Sequence, residues 1–153
     1  MNKEKKIGMI DITEKKVQHR IATAKGTIIL KRETIIAIKN EQVKKGNPII
    51  VGQVAALSAI KQTPILIPMC HQIPITHIDF ETNICEDSID IIVTVKTTAQ
   101  TGVEMEALVG VTTMLNVIWD MTKYLEKDEM GQYKSTQINN IHVISKEKKD
   151  LMS

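Results

Sequence analysis

Four short stretches carry residue types able to do chemistry: "KKGNP" (44–48), "IPMCHQIPITH" (67–77), "TGVEMEAL" (101–108) and "IWDMTK" (118–123). The second sets Cys70 beside His71 between two prolines, so a metal site is the first question. Structural zinc sites pair ligands about two to four residues apart. Adjacent residues of an extended segment point to opposite faces, so Cys70 and His71 cannot both reach one ion without a bend. C-x-x-C and H-E-x-x-H are absent from the chain, and neither a dedicated metal nor a cofactor is expected. Cys70 then reads as wall or core packing. His71 reads either as a half-buried, hydrogen-bonded side chain or as an anion donor that titrates near neutral pH.

The acidic pairs divide in the same way. Glu104 and Glu106 fall in the first turns of a helix, where carboxylates offset the macrodipole, with Met105 as packing between them. Asp120 and Lys123 are neighbours on one helix surface. They form either an exposed ion pair worth little or an acid/base lysine oriented by a carboxylate. Glu106 and Asp120 lie on nearly the same face but roughly 21 Å apart along the axis. A small ligand touching both would need this helix and another subunit's copy. Lys44–Pro48 precedes a helix N-terminus, where free N–H groups, the dipole and Lys45 can cradle a phosphate. A solvated loop is the alternative, and the P-loop pattern G-x-x-x-x-G-K-[ST] is absent.

The elements that must hold these residues follow from periodicity. Residues 17–30 alternate as a strand, and 31–43 are helix-like. Asn47 as cap and Pro48 at the first position start a helix continued by Ile50, Val54, Leu57 and Lys61. Pro64 and Pro68 are expected to end it and to hold 65–74 extended. Residues 75–84 and 88–98 flank "CEDS" as an antiparallel hairpin. A long helix spans 101–127, with Thr101 as its cap and Leu108, Val111, Leu115, Ile118 and Leu125 at helical spacing. A last strand covers 137–145. The order β-α-α-β-β-α-β predicts an α+β domain, with helices on one face of a mostly antiparallel sheet. Residues 1–8 are expected as a flexible lysine-rich tail and 9–153 as one catalytic domain.

Bulk composition excludes several classes. The chain has 153 residues and a net charge of +2, with arginine only at positions 20 and 32. Base readout through arginine forks and single-strand stacking on aromatics are therefore not expected. Two cysteines build no disulfide framework. The charged N-terminus lacks a signal-like apolar run, and no apolar stretch reaches spanning length. A soluble cytoplasmic protein is the expectation, with no nucleic-acid or membrane partner.

"MIDITEK", "AKGTI", "KKGN", "AIKQTPILIPMCHQIPIT", "TGVEMEALVGV" and "IWDMTK" follow one another from Met9 to Lys146. In order and spacing they resemble the molybdenum cofactor biosynthesis protein C family, the cyclic pyranopterin monophosphate synthases. The resemblance implies a ferredoxin-like α+β fold and a homohexamer built as a trimer of dimers, with sites at subunit interfaces. It implies conversion of 3′,8-cyclo-7,8-dihydroguanosine 5′-triphosphate to cyclic pyranopterin monophosphate with release of diphosphate. It implies Asp120, Lys123 and Lys45 as catalytic. Met69, Cys70, His71, Glu104, Met105 and Glu106 are implied to bind substrate, with Arg20 and Lys146 as basic positions toward phosphates. The prolines would then aim His71 at an anionic ligand, and no metal is needed. Gln72 stands where the family often has proline, and "SKEKKD" replaces a glycine-rich lysine stretch. The rival expectations are a non-catalytic nucleotide-binding or assembly module of the same fold, or a different lyase acting on a pterin or purine triphosphate.

Overall fold

Alternation along Ser88–Ala99 sets the sheet: Ile89, Ile91, Val93, Val95, Thr97 and Ala99 are buried, and the residues between them are not. One face of such a strand must be covered while the other stays open. The computed structural model of the chain describes residues 4–152. Its elements are β1 (Gln18–Ile29), α1 (Arg32–Lys39), α2 (Pro48–Lys61), α3 (Thr63–Leu66), β2 (Ile75–Ile84), β3 (Ser88–Ala99), α4 (Glu104–Glu126) and β4 (Gln137–Asp150). The strands form one antiparallel sheet in the order β2-β3-β1-β4. Each helical connection therefore returns the chain one strand away, which is the ferredoxin-like α+β arrangement.

The helices lie on the face bearing Ala22, Ala24 and Ile28 of β1 and the buried residues of β3. Fully buried side chains such as Ile28, Ile91, Leu115 and Ile118 contribute about 1.5–3 kcal/mol each. Small residues set how closely the layers approach. A Cβ on Gly26 of β1 would stand 2.7 Å from Leu115 and Val111 of α4. Likewise, a Cβ on Gly52 would stand 2.9 Å from Met114, and one on Gly110 would stand 2.7 Å from Ile60.

This packing corrects the apolar face expected from spacing in α2. The helix starts as expected, with Asn47 Oδ1 accepting from the N–H of Ile49 at 3.0 Å and of Ile50 at 3.2 Å. Its inward face, however, is Gly52, Ala56 and Ile60, while Ile50 and Val54 remain 57% and 62% exposed. Small side chains admit the close helix contact, and the larger ones are left outside.

Three boundaries also differ. Residues 65–74 are not simply extended: Pro64 sits in the first turn of α3, where its missing N–H goes unused. The chain then turns, with the Cys70 N–H donating to Ile67 O at 3.0 Å. Thr101 does not cap α4, which begins at Glu104 after Val103 without a side-chain cap bond. β4 continues to Asp150, past the expected end near 145, because residues 145–150 keep pairing with β1.

Candidate functional site

α4 carries one cluster of polar side chains at each end. Toward its C-terminal end, Asp120 and Lys123 share a face as their spacing requires, and Lys123 Nζ stands 2.9 Å from Asp120 Oδ1. Lys45 arrives from the loop before α2 and donates to Asp120 Oδ2 at 3.3 Å and to Asp120 O at 3.0 Å. That loop turns through Gly46 at φ +116°, a conformation that excludes most side chains. Asp120 and Lys123 border an open cavity of about 450 Å³ together with Asn116, Trp119, Tyr133 and Ile138. The rings of Trp119 and Tyr133 lie 5.0 Å apart and tilted by 59°.

Hydrogen bonds from Lys123 and then Lys45, with their charges, hold the Asp120 carboxyl below its ordinary range. In return, the hydrogen bond and charge of Asp120 push Lys123 up. The lysines do cluster, but the expected lowering by cation repulsion does not follow for Lys123. A carboxylate stands between the two ammonium groups and outweighs their repulsion.

The other cluster surrounds the start of α4. Met69, Cys70 and His71 face Glu104, Met105 and Glu106 across a cavity of about 370 Å³. Its remaining wall was not anticipated: Gly8, Ile10, Ile12 and Lys15 close one side. His71 Nε2 lies 2.7 Å from Ile10 O. A carbonyl only accepts, so Nε2 carries the proton of that bond. The expected tail thus contributes Gly8 to a cavity, while residues 1–3 lie outside the described part. The apolar spacing in "MIDI" was the available signal.

Lys146 Nζ reaches Glu104 Oε1 at 3.2 Å, joining β4 to the start of α4. Arg20 lies on the helix side of β1, opposite Thr97 and Lys148. Arg20 Nε and Glu104 Oε2 are enclosed without a hydrogen-bond partner among the described residues. Glu106 is only 4% exposed. Burial pushes its carboxyl up; its own backbone N–H partly offsets this, and the charge of Glu104 adds to it. Burial, then Glu106 and Glu104, likewise push the Cys70 thiol up, which keeps it a poor nucleophile.

Asp120, Lys123 and Lys45 are therefore brought together. Met69, Cys70, His71, Glu104, Met105, Glu106 and Lys146 form a second group, with Arg20 at the same end of the sheet. The two groups do not meet within the chain, and about 21 Å of helix separates Glu106 from Asp120. Among the described residues, no three His, Cys, Asp or Glu side chains are grouped to hold a metal ion. No helix among them is long and apolar enough to cross a membrane.

Known proteins share this sequence over nearly its full length. A "Probable cyclic pyranopterin monophosphate synthase" from Pyrococcus horikoshii is 50% identical over 145 residues, covering 95% of this chain and 91% of the relative. One of the same name from Aeropyrum pernix is 51% identical, covering 92% of this chain and 97% of the relative. A "Probable cyclic pyranopterin monophosphate synthase accessory protein" from Methanothermobacter thermautotrophicus is 47% identical, covering 97% and 93%. The MoaC family profile matches residues 9–149, so the chain belongs to the MoaC family.

Proposed function

We propose that this chain is a cyclic pyranopterin monophosphate synthase, a lyase of molybdenum cofactor biosynthesis. It converts 3′,8-cyclo-7,8-dihydroguanosine 5′-triphosphate to cyclic pyranopterin monophosphate and diphosphate. The observation that carries the reading is the convergence on Asp120 of lysines from "KKGN" and "DMTK". The identity with relatives bearing that name supports it.

The substrate carries about four negative charges near neutral pH, which calls for several cations. In the cyclisation, a substrate hydroxyl attacks the α-phosphorus and loses its proton as the bond to the diphosphate oxygen breaks. Rebuilding the purine-derived rings needs further proton delivery. Asp120 positions both ammonium groups. Arg20, Lys146 and His71 supply cationic or donor contacts to phosphates; Glu104 and Glu106 meet donors of the heterocycle; Met69, Cys70 and Met105 form the wall.

The two clusters serve one site when one subunit's Asp120 group meets the other group of a neighbour. We infer a cytoplasmic homohexamer, a trimer of dimers. The apolar surface left by Ile50, Val51, Val54, Ile65 and Leu66 supports assembly, since a monomer rarely leaves large apolar patches in water.

Incubation with the cyclised GTP intermediate, scored for diphosphate and for the pterin product, tests the reading. Stoichiometric release of both is expected. A folded protein that binds the intermediate without releasing diphosphate would instead be the non-catalytic module.

A further inference from the structure

Lys45 extends from a loop on a flexible four-carbon stem, so its meeting with Asp120 depends on where that loop lies across α4. The loop's other hydrogen bonds are local. Gln42 N–H donates to Ala37 O at 2.8 Å, and Gly46 N–H donates to Val43 O at 3.1 Å. Asn47 is occupied in capping α2. Among the described residues, one hydrogen bond joins the loop backbone to α4: Lys44 N–H donates to Tyr124 Oη at 2.8 Å. The Lys44 ammonium also sits over the Tyr124 ring, 5.3 Å from its centre. Tyr124 is one helical turn beyond Asp120, so the two lie on the same face. Together they hold consecutive loop residues, one by its backbone and the next by its side chain.

The geometry points to Tyr124 as a positioning residue for the reaction: its hydroxyl anchors the backbone at Lys44 and thereby sets the Lys45 ammonium against Asp120. The assignment rests on the proposed role of Lys45. Without the hydroxyl, the Lys44 N–H bonds to water, the loop lifts from α4, and Lys45 samples positions away from the carboxylate. A displacement of that kind at a catalytic group costs rate while leaving the fold intact.

Tyr124→Phe tests this by removing one oxygen and keeping the ring. Turnover should fall about tenfold with KM within about twofold of the wild type, the scale of one lost positioning hydrogen bond. A second readout does not depend on activity. The Asp120 carboxyl is followed by ¹³C NMR titration in the wild type, in Tyr124→Phe and in Lys45→Ala. Lys45 helps keep this group acidic, so its titration should move up in Lys45→Ala and part of the way up in Tyr124→Phe. A purely structural tyrosine would change the melting temperature and leave that titration in place. An unmoved titration or an unchanged kcat in Tyr124→Phe overturns the assignment. Loss of turnover in Lys45→Ala beside an unimpaired Tyr124→Phe overturns this assignment alone. Normal turnover in Lys45→Ala overturns the role of Lys45 on which it rests.

Discussion

Lys45 and Asp120 stand 75 residues apart in sequence and 3.3 Å apart in space. With Lys123 at 2.9 Å, Asp120 divides its two carboxylate oxygens between two ammonium groups. An amide in its place would keep one acceptor oxygen and lose the charge. Asp120→Asn should therefore fold normally, because the group is exposed and its ion pairs contribute little to stability. Turnover should fall by about 10² to 10⁴, the usual worth of an acid/base arrangement. Diphosphate release and a thermal melt on one preparation check both halves, and near-wild-type turnover would remove Asp120 from the mechanism.

Glu106 makes a prediction with a definite sign in pH. Its pKa is raised by burial, so the native state holds its proton more tightly than the unfolded chain does. Stability from this group is fullest below the unfolded carboxylate range and falls as pH rises from there through the raised native value. Glu106→Gln removes that loss. The variant should be more stable than the wild type at neutral pH, and the difference should vanish below about pH 4. Urea unfolding at both pH values decides it, and a gain that persists in acid would rule out the titration as its cause.

A shared site predicts recovery by mixing. Glu106→Ala and Asp120→Ala should each be inactive alone. After subunit exchange, some interfaces hold a wild-type Glu106 from one chain and a wild-type Asp120 from its neighbour, so activity should partly return. If every site draws both residues from one chain, mixing restores nothing. Exchange shown by mass spectrometry without recovered activity would refute the composite site, as would full activity in an isolated monomer.

Glu126 is the structural counterpart of these functional groups. It is 1% exposed, and its carboxylate accepts from the Lys31 N–H at 3.1 Å, from the Thr136 hydroxyl at 2.6 Å, and from the Thr34 hydroxyl. It thereby stands in for the side-chain cap that α1 lacks and ties that helix to the end of α4. Glu126→Ala should cost about 2–4 kcal/mol by leaving buried donors unpaired, with Glu126→Gln costing less. The shift in urea midpoint at constant slope measures it.

What the sequence determined by itself is what short spacings control. Alternation along Ser88–Ala99, the Asn47-Pro48 start of α2, and the Val111-Leu115-Ile118 stripe of α4 each report a local period that matches one backbone geometry. The Asp120–Lys123 pair belongs with them, because three residues on a helix are neighbours wherever the helix goes. The remaining contacts depended on the tertiary structure. Lys45 reaches Asp120 because a loop crosses α4, and Lys146 reaches Glu104 because β4 pairs beside β1. His71 meets Ile10 because the segment before β1 crosses the start of α4. The buried face of α2 was likewise decided by contact, since Gly52 and Ala56 admit α4 more closely than Ile50 and Val54 could. Periodicity specifies which residues share a face, whereas the order of strands and the size of side chains at a contact specify what that face meets.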